Sequence, residues 1–447
     1  MGENMLSRTN NSYPRLLVVS PPAFTGMYSS KTITTLFRNW PKESMAQLFI
    51  YDESPSYEVC EKFYRITDLD IMNANLKWSK AEGKAFTIAD IGAKPKERFG
   101  NIHGWKRTLA LMLSRRNSLV ELLRDIAWRK SKWLSPKLIR WIDEYNPQAV
   151  FLWGTSQPFF HKMAHWICTH YKIPLFLYST DDFTYCTSVY NPIAWLNYFR
   201  YMKYFKKSMC LANKSYVISS GMKKEYRGKF ATADIELLMT CTPTRTNITS
   251  ESLSQRPLRL TYAGNLYMGR WEVLSELADC LLELHTQGFS VKLNVYSSSP
   301  PADEIMEKLI KPPVLSYEGT LSQSELNDEI NKSNVLIHVE SFEKKYIKGT
   351  RLSISTKISE YLGSRRTILA IGPEQVESMK YLKENEVALC INSMDKSVMT
   401  EKLKAFLFDT ELRSELLRNA EEVVAENHDM AKVQDGLYRD LCEVNTR

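Results

Sequence analysis

Two series of short apolar runs, each alternating with longer amphipathic stretches, limit what this chain can fold into. In the first series, residues 15–20 (RLLVVS) and Ala149–Trp153 (AVFLW) have the continuous apolar character of strands that are covered on both faces. The second series starts at Leu258–Ala263 (LRLTYA) and repeats the pattern. Strands that alternate with helices pair in parallel through right-handed crossovers. The sequence therefore predicts an α/β protein with doubly wound, Rossmann-like sheets.

The predicted strands share this apolar character and are residues 15–20, 47–51, 149–153, 175–179 and 215–219, then 258–263, 291–296, 314–317, 334–339 and 367–371. Residues 52–104 show no comparable pattern, and we interpret them as irregular.

The length of the chain indicates two domains, because 447 residues exceed the size at which a single core keeps growing. Residues 242–256 (TPTRTNITSESLSQR) are polar, rich in Ser and Thr and without periodicity, which is typical of a linker. We therefore predict a first domain over residues 1–241 and a second over residues 257–428, with a cleft between them. Residues 429–447 are predicted to form a final helix.

Composition limits the cellular setting. The eight cysteines show no paired C-x-x-C spacing, which favours reduced thiols and a cytoplasmic location over a disulfide framework. The N-terminal stretch MGENMLSRTNNSYPR lacks the apolar core of a signal peptide, and no run is long enough to span a bilayer. We expect a soluble or peripheral protein.

The net charge of +8 is concentrated in two segments. Residues 101–140 contain ten Lys or Arg against two acidic residues and are interleaved with Trp105, Trp128 and Trp133. Residues 195–207 (WLNYFRYMKYFKK) repeat the combination of aromatic and basic side chains. Such helices are attracted to an anionic bilayer surface, although solvated faces with a buried aromatic side have a similar composition. Nucleic acid is the weaker interpretation, because no recognised binding motif accompanies the charge.

Residues 355–373 (STKISEYLGSRRTILAIGP) have a pattern typical of a short helix, a turn and a buried strand. Ser355 or Thr356 can cap the helix, and Lys357 and Glu360 project from its first turn. Helix amides and a Lys suit a diphosphate, and a carboxylate can accept hydrogen bonds from ribose hydroxyls. The alternative is a solvated helix with an ion pair between Lys357 and Glu360.

The order S-T-K-I-x-E-Y-L, a small turn and an apolar strand ending in Ile-Gly-Pro resembles the nucleotide-sugar segment of retaining GT-B glycosyltransferases of the group 1, or glycosyltransferase 4-like, kind. The resemblance extends over the C-terminal half of the chain and includes a last helix that crosses back to the first domain. That helix would place Met430, Val433, Leu437 and Leu441 on one face. Over the N-terminal half the resemblance is only architectural.

The resemblance implies roles for several residues. Glu360 would hold the donor ribose, and Lys357 matches a Lys found in a subgroup of the family. Many members have a second Glu upstream, whose place is taken here by Leu352. The contact to the transferred sugar is thereby left unassigned.

Residues around the first strand of the second domain complete the expected donor site. Gly264 and Asn265 follow this strand, and Gly269 and Arg270 precede the next helix. Family members have basic residues here that bind the diphosphate; Asn265 replaces the first and Arg270 approximates the second. Arg suits phosphate because it forms bidentate, charge-assisted hydrogen bonds. The alternative for Arg270 is a surface residue at the start of a helix.

Glu340 ends the strand at residues 334–339 and is included among the donor-binding candidates, although a plain loop carboxylate is the favoured interpretation. Candidates for acceptor binding follow strands of the first domain. They are Thr25 and Gly26 after the first strand, and Asp181 and Asp182 after residues 175–179. Of the two aspartates, Asp182 is preferred, and it joins Arg270 and Lys357 as a candidate catalytic residue.

Other motifs support different functions less well. His161 and His165 lie one helical turn apart, but HKMAH lacks the Glu of the zinc-protease motif. Asp68 and Asp70 resemble the Asp-x-Asp of metal-dependent GT-A enzymes, a short match that arises easily by chance. The sequence contains neither a P-loop nor a G-x-G-x-x-G, so kinase and dehydrogenase functions lose their main support.

We therefore expect a metal-independent, retaining glycosyltransferase without a cofactor. It would move a sugar from a nucleotide-sugar donor to a glycan or lipid-linked acceptor in cell-surface polysaccharide assembly, at the cytoplasmic face of a membrane. Two alternatives remain: a nucleotide-sugar epimerase of the same fold, and a membrane-surface nucleotide-binding protein without transfer activity.

Overall fold

The computed structural model describes residues 13–24, 31–87, 117–129, 132–188, 190–242 and 257–443. The chain divides into two compact units, the first formed by Met1–Leu238 with Ala431–Arg447 and the second by Met239–Met430. Each unit is built on one largely parallel sheet, as the alternation of strands and helices predicts. Of the segment interpreted as a linker, only Thr242 is described, and residues 243–256 lie outside the described part.

In the described part of the first unit, eight strands form one sheet in the order β4-β3-β2-β1-β5-β6-β7-β8, with only β3 and β4 antiparallel. The strands are β1 Leu16–Val19, β2 Met45–Phe49, β3 Lys62–Arg65, β4 Lys84–Phe86, β5 Ala149–Trp153, β6 Leu175–Ser179, β7 Ala212–Val217 and β8 Ile235–Leu237. The helices between them are α1 Lys31–Leu36, α2 Asp68–Leu76, α3 Ser118–Arg129, α4 Pro136–Tyr145, α5 Pro158–Tyr171, α6 Pro192–Leu211 and α7 Ser220–Lys229, with a 3-10 turn at Lys42–Ser44.

The second unit has six parallel strands in the order β11-β10-β9-β12-β13-β14. They are β9 Leu258–Ala263, β10 Val291–Tyr296, β11 Leu315–Gly319, β12 Val335–Val339, β13 Thr367–Ile371 and β14 Leu389–Ile391. The helices are α8 Arg270–Thr286, α9 Asp303–Leu309, α10 Gln323–Lys332, α11 Lys344–Thr350, α12 Lys357–Leu362, α13 Glu377–Glu384, α14 Lys396–Phe408 and α15 Thr410–Val423, followed by a π-helical turn at Val424–His428. The last helix, α16 Met430–Glu443, begins at the boundary between the units. None of the helices in the described part combines the length and apolar character needed to cross a bilayer.

The second sheet is covered by helices on both faces, so the expectation of a doubly wound fold is confirmed. Successive residues of a strand point to opposite faces, and β12 shows this directly. Ile337 packs in a core with α8 and α14, whereas its neighbour Leu336 packs in a second core with α12 and α13. Truncating one fully buried leucine here, such as Leu369, would cost about 2–5 kcal/mol of folding free energy.

The interpretation of residues 52–104 as irregular is wrong for part of this segment. That segment contains β3, α2 and β4, and residues 88–104 lie outside the described residues. The signals were weak because both strands are short, and β4, which lies at the edge of the sheet, is only half-buried at its centre. Helix α2 is fixed by its start, where Thr67 and Asp70 form a capping box.

Helix α16 packs on the first unit, which confirms the expectation that the chain crosses back. Gln434 donates a hydrogen bond to the Thr35 carbonyl at 2.6 Å, and Tyr438 donates to the Leu36 carbonyl at 3.0 Å. The buried face comprises Gln434, Leu437, Tyr438 and Leu441. It is therefore slightly rotated from the predicted face, because Met430 and Val433 are only half-buried.

Candidate functional site

The order in which strands are added to the second sheet reverses at β9, although all six strands run parallel. From this strand, β10 and β11 extend to one side, and β12, β13 and β14 extend to the other. In open parallel sheets, ligands bind beyond the carboxyl ends of the strands at such a switch point. Gly264 and Asn265 directly follow β9, and Glu340 directly follows β12. The topology thus brings three predicted donor-site residues to the edge where a ligand is expected.

Lys357 reaches this edge from the start of α12. Its ammonium lies over the Tyr262 ring, with Nζ 5.3 Å from the ring centroid. Nζ also approaches Gly264 so closely that a Cβ added at position 264 would collide with it. Position 264 therefore needs glycine for space. This placement argues against the alternative in which Lys357 belongs to a solvated surface ion pair.

Tyr361 ties helix α12 to the end of strand β9. Its hydroxyl accepts a hydrogen bond from the Ala263 amide at 3.2 Å and lies 3.4 Å from the Ala263 carbonyl. The ring is buried in the core beneath α12. Because Tyr361 lies one turn after Lys357, this contact holds the Lys357 backbone next to Gly264.

Arg270, the first residue of α8, is held by two side chains. Its guanidinium donates to Asn265 Oδ1 at 2.9 Å and to Glu340 Oε2 at 3.0 Å. The turn before it places Met268 and Gly269 at φ 59° and 72°, so the chain reverses sharply into the helix. A Cβ at Gly269 would meet the Ser341 hydroxyl, which follows Glu340. The loops after β9 and β12 therefore pack directly against each other.

The charges of this cluster influence one another. Glu340 is only 3% exposed, and burial raises the pKa of its carboxyl, an effect that the charges of Arg270 and Lys357 oppose. The pKa of His338 falls to about 3, because the ring is buried and both cations lie nearby. His338 is therefore neutral at physiological pH, and its Nε2 lies 3.5 Å from Glu340 Oε1. When Glu340 is ionised, the cluster contains one carboxylate and two cations, those of Arg270 and Lys357.

The expectation that Ser355 or Thr356 caps α12 is wrong. Thr356 is the N-cap residue but has helical φ and ψ of −61° and −17°, and its side chain makes no capping hydrogen bond. Instead, the Ser355 amide donates to Ser378 Oγ at 2.9 Å. Glu360 is half-buried on α12, whereas Leu352 is buried at 3% exposure.

The arrangement suits an anionic ligand. Arg270 and Lys357 come from the first residues of two different helices, and the Lys357 ammonium lies where a side chain at Gly264 would be. The helix N-terminus of α8 adds a partial positive charge at the same edge. A diphosphate placed there would meet a bidentate donor and a point charge.

The structure favours Asp181 over Asp182 for contact with a ligand in the first unit, which corrects the preference drawn from the sequence. Asp182 is 2% exposed, and its Oδ1 accepts hydrogen bonds from the Thr184 amide at 2.8 Å, the Thr184 hydroxyl at 2.7 Å and Tyr226 at 3.1 Å. These bonds hold the loop after β6 in place. Asp181 is exposed, and Thr180 donates to its Oδ2 at 3.3 Å. The predicted acceptor residues Thr25 and Gly26 lie outside the described residues.

His161 and His165 form a buried hydrogen-bond chain through Ser208. His161 Nδ1 lies 2.8 Å and His165 Nε2 lies 2.7 Å from the Ser208 hydroxyl. His161 Nε2 faces the Thr155 carbonyl at 3.3 Å and must donate to it. The Ser208 hydroxyl then donates to His161 and accepts from His165. This network explains both histidines without a metal ligand role.

The metal-binding alternative at Asp68 and Asp70 is not supported by their contacts. Asp70 completes the capping box with Thr67, and Asp68 Oδ1 accepts from Arg124 at 2.9 Å and from Trp128 at 2.8 Å. Both carboxylates therefore hold helices in place. Within the described residues, no group of three or more His, Cys, Asp or Glu side chains is arranged to hold a metal ion.

Sequence reasoning missed three residues of the cluster, namely Tyr262, His338 and Tyr361. A signal was available for His338, because it is the one titratable residue in the apolar strand β12 and lies two positions before Glu340, on the same strand face. The two tyrosines gave no such signal, since aromatic residues at strand and helix positions are usually core residues.

Comparisons with known proteins agree with the fold. No family model and no curated protein matches the sequence. Among solved structures, HepE of Anabaena in complex with UDP and glucose is similar with a TM-score of 0.58 at 9% identity, covering 96% of this chain and 99% of that one. Sucrose-phosphate synthase of Thermosynechococcus elongatus gives a TM-score of 0.60 at 11% identity, covering 95% and 98%. The α,α-trehalose 6-phosphate synthase of Burkholderia multivorans gives 0.56 at 11% identity, covering 97% and 98%.

These matches extend over nearly the whole length of both chains, so they include both units. Their low sequence identity means that they bear on architecture alone. Together with the two parallel sheets and the returning helix α16, they show that the chain has the GT-B glycosyltransferase fold.

Proposed function

We propose that the protein is a glycosyltransferase that transfers a sugar from a nucleotide-sugar donor to a carbohydrate acceptor. The observation that carries the proposal is the convergence of Arg270 and Lys357 beside Gly264 at the switch point of the second sheet. Structures with the same fold have been solved with UDP, UDP-glucose or glucose bound, which makes a uridine nucleotide the first donor class to test.

In the proposed reaction, the bond between the sugar and the diphosphate breaks, an acceptor hydroxyl forms the new glycosidic bond, and the proton of that hydroxyl passes to the leaving diphosphate. Arg270 and Lys357 stabilise the negative charge that develops on the leaving diphosphate. Glu360 accepts hydrogen bonds from the ribose hydroxyls, and the backbone amide of Thr356 supports the donor, while the Ser355 amide stays bonded to Ser378. Glu340 acts through Arg270, because it is buried and holds the guanidinium in place.

We propose that this electrostatic stabilisation takes the place of a divalent metal and that no cofactor is needed. Two fixed cations can supply the charge that a metal would otherwise provide. Retention of configuration is proposed from the resemblance of residues 355–362 to retaining enzymes. The anomeric configuration of the product, followed by NMR, tests this part.

The proposed acceptor is a glycan or a lipid-linked glycan precursor of cell-surface polysaccharide, bound by the first unit near Asp181. Support comes from the basic and aromatic helices of that unit. All eight cysteines are free thiols, which supports a reducing, cytoplasmic compartment. The protein would act there at an anionic membrane surface.

The experiment that tests the proposal measures release of nucleoside diphosphate from a panel of nucleotide sugars, with an acceptor extract and with EDTA or Mn²⁺. Turnover with one nucleotide class that persists in EDTA and is lost in Lys357→Ala would support it. Lys402→Ala, on the exposed face of α14, is the matched control and should keep full activity. Turnover that requires Mn²⁺ would overturn metal independence.

Neither alternative would transfer a sugar to an acceptor, and chromatography of the recovered donor separates the two. An epimerase would change the sugar of the donor in the absence of any acceptor. A binding protein without transfer activity would bind a nucleoside diphosphate and turn over none of the donors.

A further inference from the structure

Helix α3 presents apolar side chains to solvent and turns the carboxylate of Asp125 inward. Leu119, Leu123 and Ile126 are spaced four and three residues apart, so they share one side of the helix. All three are exposed, and Leu123 is 53% exposed. Asp125 is buried on the opposite side. A helix on the surface of a globular protein usually has the reverse orientation, with its apolar stripe toward the core.

Ion pairs and an aromatic contact fix this orientation. Asp125 pairs with Arg200 of α6 and lies 3.6 Å from Lys162 of α5. Trp128 stacks on Phe159, with ring centroids 4.4 Å apart. Because turning α3 over would break the buried ion pairs, the outward direction of its leucines is built into the unit.

Helix α6 packs beside α3 and has exposed apolar side chains of its own. The Asn197 amide donates to the Ser118 carbonyl at 2.7 Å, which joins the starts of the two helices. Leu196 and Phe199 are exposed, and Phe199 is 62% exposed. Trp195 stacks against Phe199 with ring centroids 5.6 Å apart.

Lysines follow directly on the same side of α6. Lys203, Lys206 and Lys207 are exposed and lie one to two turns after Phe199. We define the docking face as these exposed residues of the two helices: Leu119, Leu123 and Ile126 of α3, and Leu196, Phe199, Lys203, Lys206 and Lys207 of α6. The docking face thus contains an apolar patch and a cationic patch.

We propose that the docking face binds the surface of an anionic lipid bilayer. Apolar and aromatic side chains can enter the boundary between headgroups and acyl chains, while adjacent lysines remain at the level of the anionic headgroups. Charge complementarity identifies the bilayer as the occupant, because the lysines form a cationic edge along the apolar surface. The inference extends the membrane part of the proposed function, but binding requires no transfer activity.

The test is sedimentation of the full chain with vesicles of phosphatidylcholine, either alone or with one quarter phosphatidylglycerol. Wild-type protein should bind the anionic vesicles and bind less at high salt, because salt screens the lysines. A triple variant should bind the anionic vesicles about 100-fold more weakly, because each lysine contributes roughly fivefold to the affinity. It combines Lys203→Gln, Lys206→Gln and Lys207→Gln. Phe199→Glu and Leu123→Glu should each weaken it about tenfold.

Controls in the second unit match each change. The control for the lysines removes the same charge from exposed positions of α11 by combining Lys344→Gln, Lys345→Gln and Lys348→Gln. The control for the apolar positions is Val398→Glu, which adds a charge at an exposed apolar position of α14. Both should bind like wild type. Circular dichroism and thermal unfolding confirm that the docking-face variants fold. Nucleotide binding is measured separately, so loss of the donor site is distinguished from loss of vesicle binding.

Two outcomes would overturn the proposal. One is wild-type protein that does not bind anionic vesicles, which would point instead to an acidic protein partner. The other is binding that the docking-face variants and the controls change equally.

Discussion

Arg270 donates a hydrogen bond to Glu340 at 3.0 Å, which pairs a half-buried cation with a carboxylate that is almost completely buried. The pair joins the loop after β9 to the loop after β12, at the switch point where the strand order of the sheet reverses. It fixes the guanidinium before any ligand arrives, so little conformational entropy is lost when a diphosphate binds.

The Arg270–Glu340 pair leads to a prediction about stability and binding together. Arg270→Met should destabilise the second unit by about 3–5 kcal/mol, because it leaves Glu340 buried without its closest cation. Adding Glu340→Leu should recover most of this loss, since no buried charge remains. Neither variant should bind nucleoside diphosphates with wild-type affinity. Urea unfolding and calorimetry measure the two effects, and wild-type affinity in the double variant would show that Arg270 is purely structural.

Gly264→Ala should weaken nucleoside diphosphate binding roughly tenfold, because the new methyl group displaces the Lys357 ammonium and so weakens a charge-assisted contact. The substitution should also lower the stability of the second unit, because the new Cβ would lie 2.8 Å from the hydroxyl of the buried Tyr262, so affinities are compared at a temperature where both variants are folded. Gly228→Ala is the matched control, because its Cβ would meet open space on α7. Titration calorimetry compares them, and equal affinities in the two variants would contradict the role of Lys357.

The two aspartates after β6 should respond differently to substitution. Asp182→Ala should destabilise the first unit by about 1–3 kcal/mol, because Tyr226 and the Thr184 amide lose their acceptor. Asp181→Asn should leave stability unchanged and lower the transfer rate. Thermal unfolding and turnover measure both, and the reverse pattern would restore Asp182 as the acceptor residue.

Stability should depend on pH through the histidines of the Ser208 network. Burial lowers the pKa of His161 to about 4 and that of His165 to about 3, whereas both would titrate near their ordinary value of 6.5 in the unfolded chain. Between pH 6.5 and 4 the unfolded state therefore binds more protons, and stability falls as the pH is lowered. Each histidine should contribute about 1.4 kcal/mol per pH unit in this window.

Replacing one of these histidines tests the pH effect. His165→Phe should reduce the slope of unfolding free energy against pH, measured by urea titration from pH 7 to pH 5. The control Gln323→Ala, at an exposed position of α10 without a titratable group, should leave the slope unchanged. Equal slopes in wild type and His165→Phe would contradict the assignment.

Most strands of both sheets could be predicted from the sequence, because buried parallel strands have continuous apolar runs. Ala149–Trp153, Leu175–Ser179, Leu258–Ala263 and Thr367–Ile371 match their predicted bounds. The short strands β3 and β4 escaped detection, since a strand of three or four residues that is only partly buried has little apolar signal.

The candidate site could be predicted only in part. Gly264, Asn265, Arg270 and Lys357 follow strands or begin helices, positions that local sequence identifies. The contact between Tyr361 and Ala263 depends on how α12 packs on the sheet, which no local pattern contains. Burial of Asp182 was equally hidden, because adjacent residues of a loop point in different directions.

The measurement that tests the central claim most directly is calorimetric titration of nucleoside diphosphates into wild type, Lys357→Ala and the control Lys402→Ala. The account predicts that one nucleotide class binds to wild type and to the control with the same affinity, in the presence of EDTA. Binding to Lys357→Ala should be at least about tenfold weaker, because a charge-assisted contact to phosphate is lost. Absence of binding by every nucleoside diphosphate, or equal affinity in all three proteins, would contradict the claim that the switch point of the second sheet is a donor site.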